Sequence, residues 1–142
     1  MHFELFNPEK EVALPVRATT GSCGYDFFMP ETAIIAPHQG MQIKTNITVA
    51  HDNSDAARWI LHLYPRSSLG IKKHLMLANT VGVVDSDYCG FEISVFLFNY
   101  GDEPVMLSEG DRFCQGVFVP YLITSDDDAA GDRVGGFGST GR

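Results

Sequence analysis

The feature that most limits what this chain can fold into is the way its apolar residues are grouped. They fall in short alternating or continuous runs broken by Gly, Pro, Asn or Asp, and no sustained 3.6-residue period runs through them. Met41, Ile43, Thr45, Ile47 and Val49 alternate with Gln42, Lys44, Asn46 and Thr48, which predicts one half-buried strand over Met41–Val49. Arg58–Tyr64 and Phe91–Asn99 carry β-branched and aromatic residues at successive positions, as strands covered on both faces do. Shorter strands are expected at Phe3–Phe6, Tyr25–Phe28, Ala33–Ile35, Val81–Val84, Val105–Leu107 and Phe113–Val119. A single short helix is expected to begin near Ser67 and run through Ile71 and Lys73. Many short strands with one helix point to an all-β sandwich or barrel.

With 142 residues, 44% of them hydrophobic, the chain can build one sizeable core. After Tyr121 the character changes: Ser125 and Asp126–Asp128 lead into Gly131, Gly135, Gly136, Gly138 and Gly141 around Phe137. Such a segment cannot bury a core of its own, so it is either a mobile end or a piece that orders on a ligand. The net charge of -8 disfavours broad attraction to nucleic acid or anionic membranes, so any phosphate must be held locally. Cys23, Cys89 and Cys114 form no CxxC pair, and the five histidines show no HExxH spacing, which argues against a zinc centre. Without an apolar run long enough to span a bilayer, a soluble, cytoplasmic protein is expected.

Four segments carry candidate chemistry. In Tyr64-Pro65-Arg66-Ser67-Ser68-Leu69-Gly70, an arginine and two hydroxyls precede the helix; they suit an anion, although Ser67 as an ordinary helix cap beside a surface Arg66 is the commoner arrangement. Ala78-Asn79-Thr80-Val81-Gly82-Val83-Val84-Asp85-Ser86-Asp87-Tyr88-Cys89-Gly90 reads as a hairpin that offers backbone groups to a flat base. There Asp85 is placed to polarise a water and Tyr88 to form an apolar wall; a plain polar turn is the bland alternative. Glu109-Gly110-Asp111-Arg112-Phe113-Cys114-Gln115 reads most simply as a turn with one exposed charge pair. In Arg133-Val134-Gly135-Gly136-Phe137-Gly138-Ser139-Thr140-Gly141-Arg142, glycines allow close approach of backbone N–H groups to phosphate, and Phe137 can stack on a base; the segment lacks the lysine of a Walker A loop, and a floppy terminus is the alternative.

These four segments, with Gly21-Ser22-Cys23-Gly24-Tyr25-Asp26-Phe27, occur in the order and spacing of five motifs over residues 21–141, and together they resemble the trimeric deoxyuridine triphosphate nucleotidohydrolase (dUTPase) family. The resemblance implies an all-β, jelly-roll-like fold with one short helix and a flexible glycine-rich tail. It implies a β domain over residues 1–124, and a lid over residues 125–142 that completes a neighbouring subunit's active site in a homotrimer. It also implies hydrolysis of dUTP to dUMP and pyrophosphate, which keeps uracil out of DNA and supplies dUMP for thymidylate synthesis. Asp85 would activate the attacking water at the α-phosphorus; Asn79, Gly82, Val83 and Val84 would hold uracil, and Tyr88 would pack on deoxyribose. Arg66, Ser67, Ser68 and Gln115 would meet the phosphates, and Arg133, Phe137, Gly138, Ser139 and Thr140 would close over the nucleotide.

Magnesium would be held chiefly by the triphosphate, with no direct protein ligand and with Asp26 and Gln115 orienting its waters, in keeping with the reluctance of Mg²⁺ to dehydrate. The chain departs from the family pattern in three places: only Val134 separates Arg133 from Gly135, Cys23 stands where alanine is usual, and Ser68 where glycine is frequent. The related deoxycytidine triphosphate deaminases carry an Asp-Pro-Gly-Trp-like sequence in place of Asp85-Ser86-Asp87-Tyr88. A nucleotide-sensing protein on the same scaffold, with the tail as a switch for a protein partner, is the rival of another class; neither nucleic acid nor membrane is expected as a partner.

Overall fold

The structure is a computed structural model that describes residues 1–51, 58–133 and 135. Among the described residues the strands are β1 (His2–Leu5), β2 (Tyr25–Phe28), β3 (Ala33–Ile35), β4 (Gly40–Lys44), β5 (Ile47–Ala50), β6 (Trp59–Pro65), β7 (Leu75–Leu77), β8 (Gly82–Asp85), β9 (Ser94–Asn99), β10 (Val105–Leu107) and β11 (Arg112–Pro120), with one α-helix, α1 (Ser67–Lys73), between β6 and β7. The strands form antiparallel sheets in the orders β2-β11-β6-β8, β4-β9-β7, β1-β5 and β3-β10, so neighbours in space are mostly distant in sequence. The result is an all-β, jelly-roll-like body with one short helix, as the punctuation of the sequence predicts.

The sheets enclose a core in which Phe27, Ile35, Leu61, Leu97 and Phe113 are fully buried. Beside it Phe3, Tyr25, Trp59 and Phe118 form an edge-packed aromatic cluster with ring centroids 5.2–6.1 Å apart. Gly116 of β11 lies under this core: a methyl group there would sit 2.8 Å from Leu61 Cδ1 and 3.0 Å from Phe27 Cε2, and neither neighbour can yield without straining a packed interior. Gly116→Ala should therefore cost about 1–3 kcal/mol of stability through overpacking, read as a lower urea midpoint at unchanged slope. An unchanged midpoint would refute the close packing.

The single strand expected over Met41–Val49 is two strands. Asn46 takes a left-handed backbone conformation (φ 58°), and its side chain accepts from the Asn7 amide at 2.8 Å and donates to the carbonyls of Asn7 and Lys10, each at 3.0 Å. That bend sends β4 to pair with β9 and β5 to pair with β1. The second face of β6 is also only partly covered: Leu61 and Leu63 face the core, while Ile60, His62 and Tyr64 are half-buried. The segment around Asn79 is not a hairpin, because β7 belongs to the β4-β9-β7 sheet and β8 to the other, and the tight turn at Thr80 (φ 64°) carries the chain between them. β7 itself is a strand that the sequence did not announce, because its Leu-Met-Leu run carries no β-branched or aromatic residue.

Candidate active site

Two groups of polar side chains lie on the half-covered face of the four-stranded sheet. The first gathers where β6 ends. Pro65 closes the strand, Arg66 stays extended (φ −69°, ψ 146°) as the residue before the helix, and α1 starts at Ser67 without any side-chain cap. Ser67 is thus the first helical residue rather than a cap, and Ser67 and Ser68 stand exposed beside Arg66. Arg66 is not a free surface charge: its guanidinium is ion-paired with Asp26, Nε lying 3.1 Å from Oδ1. Asp26, on β2, is only 6% exposed, and its Oδ2 accepts from Arg112 Nη1 at 3.3 Å. Gln115 stands directly opposite Asp26 in the β11–β2 ladder. Its carboxamide lies against Gly24, where a side chain would collide with it, so the glycine leaves the room that Gln115 occupies. Arg66, Ser68 and Arg112 line one cleft of about 300 Å³ together with Lys73. One carboxylate set between two guanidiniums leaves surplus positive charge, which makes a local seat for an anion on a chain of net charge -8.

The second group sits on β8 and the 3₁₀ turn Ser86–Tyr88 that follows it. Among the described residues β8 is an edge strand, paired to β6, so alternate residues turn their N–H and C=O groups away from the sheet. Gly82 is packed against Leu63, Val84 is turned into the core and Val83 is 57% exposed, so this edge offers backbone rather than polar side chains. Asp85 ends the strand half-buried, and Asn79 is exposed in the turn before it. Tyr88 donates from its hydroxyl to the Glu92 carbonyl at 3.1 Å and leans on Phe91 with centroids 5.3 Å apart. Burial pushes the Tyr88 phenol above its ordinary range against the opposing pull of Arg133, so it is a neutral wall at pH 7. Arg133 crosses this group: its guanidinium is ion-paired with Asp85, donates to Asp87 Oδ1 at 2.7 Å and lies 5.6 Å from the centre of the Tyr88 ring. The hydrogen bond to Asp87, with the charge of both carboxylates, raises the guanidinium's pKa further.

The register measures the gap between the two groups. Asp26 stands level with Gln115 and Tyr64, whereas Asp85 stands level with Ile60, four residues along β6 and at the far side of a four-strand sheet. At about 3.3 Å per residue and about 4.8 Å per strand, Asp26 and Asp85 of one chain are roughly 20 Å apart. A single chain thus brings together Asp26, Arg66, Ser68 and Gln115, and separately Asp85, Tyr88 and Arg133, but not the two sets. Phe137, Gly138, Ser139 and Thr140 lie outside the described residues. Among the described residues no three His, Cys, Asp or Glu side chains converge to hold a metal, and no helix is long and apolar enough to cross a membrane.

The dUTPase family model matches residues 10–141, the whole stretch that holds both groups and the tail. The deoxyuridine 5'-triphosphate nucleotidohydrolase of Lactococcus lactis is 36% identical over 137 residues, 92% of this chain and 89% of that one. This chain belongs to the dUTPase family. Its fold is likewise that of solved members: the dUTPase of Streptococcus mutans superposes with a TM-score of 0.77 at 32% identity, covering 87% of this chain and 98% of that one. A mutant dUTPase from phage phi11 of S. aureus, described as coordinating a structural Mg(II) ion, has the same fold at a TM-score of 0.74 and 21% identity, covering 90% of this chain and 95% of that one.

Within that frame two side chains stand out that sequence reasoning passed over. Arg112 looked like half of an exposed turn pair, yet it reaches Asp26, while its neighbour Asp111 faces Lys73 at 3.9 Å. Asp87 looked like a turn former and instead holds Arg133. No signal along the chain announces either contact, because the partners are 86 and 46 residues away.

Proposed function

We propose that this protein hydrolyses dUTP to dUMP and pyrophosphate with magnesium, as a homotrimer whose active sites form between chains. The observation that carries the reading is the strand register, which sets Asp26 and Asp85 on the two outer strands of the sheet and four residues apart along β6, roughly 20 Å by ideal strand spacing. A triphosphate joins its α- and γ-phosphorus through two bridging oxygens, so one nucleotide cannot reach both within a chain. Juxtaposing the Asp26–Arg66–Gln115 group of one subunit with the Asp85–Tyr88 group of another removes the conflict. The tail over residues 125–142 then serves as a lid on a neighbour's site, with residues 1–124 as the β domain that carries it.

In the assembled site Asp85 takes a proton from a water that attacks the α-phosphorus in line; the bond from that phosphorus to the β-bridging oxygen breaks and pyrophosphate leaves. Arg66, Ser67, Ser68 and Gln115 hold the phosphates, and the free edge of β8, with Asn79, Gly82, Val83 and Val84, matches uracil with backbone donors and acceptors. Arg133 leaves Asp85 for the phosphates as the lid, with Phe137, Gly138, Ser139 and Thr140, closes. Asp26 and Gln115 stand side by side and fit the task of orienting a magnesium ion's waters, since each carboxylate oxygen of Asp26 keeps a lone pair beyond its guanidinium bond. Bound magnesium supplies charge neutralisation on the triphosphate. The reaction keeps uracil out of DNA and supplies dUMP for thymidylate synthesis.

Tyr88, fixed by the Glu92 carbonyl and Phe91, is a rigid wall suited to excluding a ribose 2′-hydroxyl. Tyr88→Ala should mainly raise turnover of UTP relative to dUTP, measured as the ratio of kcat/KM values; an unchanged ratio would assign that exclusion to another group. The decisive experiment follows pyrophosphate release from dUTP, dCTP, dTTP and UTP, with magnesium and then with chelator. Release from dUTP alone, lost with chelator, is expected; silence on all four would overturn the reading.

A further inference from the structure

We infer that Arg112 is a positioning residue of the phosphate site, acting through Asp26 to hold Arg66 in place; the inference rests on the reading that Arg66 meets the triphosphate. Arg66 and Arg112 take opposite oxygens of one buried carboxylate, at 3.1 and 3.3 Å. A carboxylate engaged on one oxygen can still pivot, whereas guanidiniums on both oxygens, one of them hydrogen-bonded, restrain its plane and through it the long, rotamer-rich Arg66 side chain.

The backbone is built for this contact. Cys114 pairs with Phe27, and unbroken alternation from there would set Arg112 opposite Met29, which is 1% exposed and faces the core. A bulge between Arg112 and Cys114 instead sets Arg112 opposite Phe28, two residues from Asp26 and on the same face of β2. The bulge also lets Phe113 and Cys114 both bury completely while Arg112 keeps its place beside Asp26. Arg112 lines the same cleft as Arg66 and Ser68, so loosening it changes the site where the phosphates are read.

The test compares dUTP kinetics of the wild-type protein with R112M, R112K, R66M and the R66M/R112M double variant, with trimer state and melting temperature measured alongside. R112M is expected to lose roughly ten- to a hundredfold in kcat/KM, the scale on which small displacements of a binding group act, carried mainly by KM. R112K should recover only part of the loss, because an ammonium lacks the planar fork. In the R66M background the R112M change should add less than about threefold, since its effect passes through Arg66. Losses that multiply in the double variant would overturn the inference and make Arg112 a direct phosphate contact. R112M with wild-type kinetics, or R112M unfolded while R112K keeps full kcat/KM, would overturn it in favour of no role or a structural one. If R66M turns over dUTP like the wild-type protein, the phosphate role of Arg66 fails; if R66M is impaired and R112M is not, only the role of Arg112 fails.

Discussion

Asp85→Asn should bind dUTP about as well as the wild-type protein and hydrolyse it roughly 10²- to 10⁴-fold more slowly, the usual loss when a general base is removed. The physical reason lies in what the substitution keeps. Asparagine has the same shape, and Asp85 sits half-buried at the end of β8, outside the core, so packing is undisturbed. What is lost is an acceptor basic enough to take a proton from water. The substitution also removes one of the two carboxylates that hold Arg133, so release of that arginine is no obstacle to binding. Isothermal titration with a non-hydrolysable dUTP analogue and single-turnover kinetics separate the two effects; wild-type turnover would remove Asp85 from the mechanism.

Deletion of residues 125–142 should abolish most turnover while leaving the β body and its assembly in place. Within that segment Arg133 is ion-paired with Asp85 and Asp87, two carboxylates that are each about half exposed. Surface ion pairs of this kind contribute about 0–1 kcal/mol, so the melting temperature should shift little. The expected loss lies instead in closure, which completes a site and excludes water at the reacting phosphorus. Steady-state turnover beside size-exclusion and thermal melts makes the comparison; undiminished turnover would remove the lid, and a collapsed fold would make the tail structural. Arg133→Ala refines it: freeing Asp85 without a lid arginine should weaken phosphate binding, whereas faster turnover would mean that Arg133 restrains the resting site.

Much of this was legible along the chain. Strands β2, β3 and β10 begin and end where Gly, Pro and charged residues bracket an apolar run, and α1 begins where Pro65 ends a strand. The motifs marked both polar groups because their residues are contiguous: Arg66 with Ser67 and Ser68, and Asp85 with Tyr88. The errors share one cause. The alternation over Met41–Val49 is continuous, but Asn46 bends the backbone because Asn7 and Lys10, far back in the sequence, supply its partners. Arg112 and Asp87 read along the chain as turn residues because their partners are also distant.

The sequence by itself determined the class of fold, the family and the short segments that carry chemistry, since turn residues, alternation and contiguous motifs act over a few positions. Only the tertiary structure decided that Asp26 lies between two arginines, that Arg133 rests on Asp85, and that Asp26 and Asp85 share one face of a sheet at opposite edges. The placing of Asp26 and Asp85 follows from antiparallel register, and that of Arg112 from one bulge, which couple residues dozens of positions apart and leave no periodic trace in the chain.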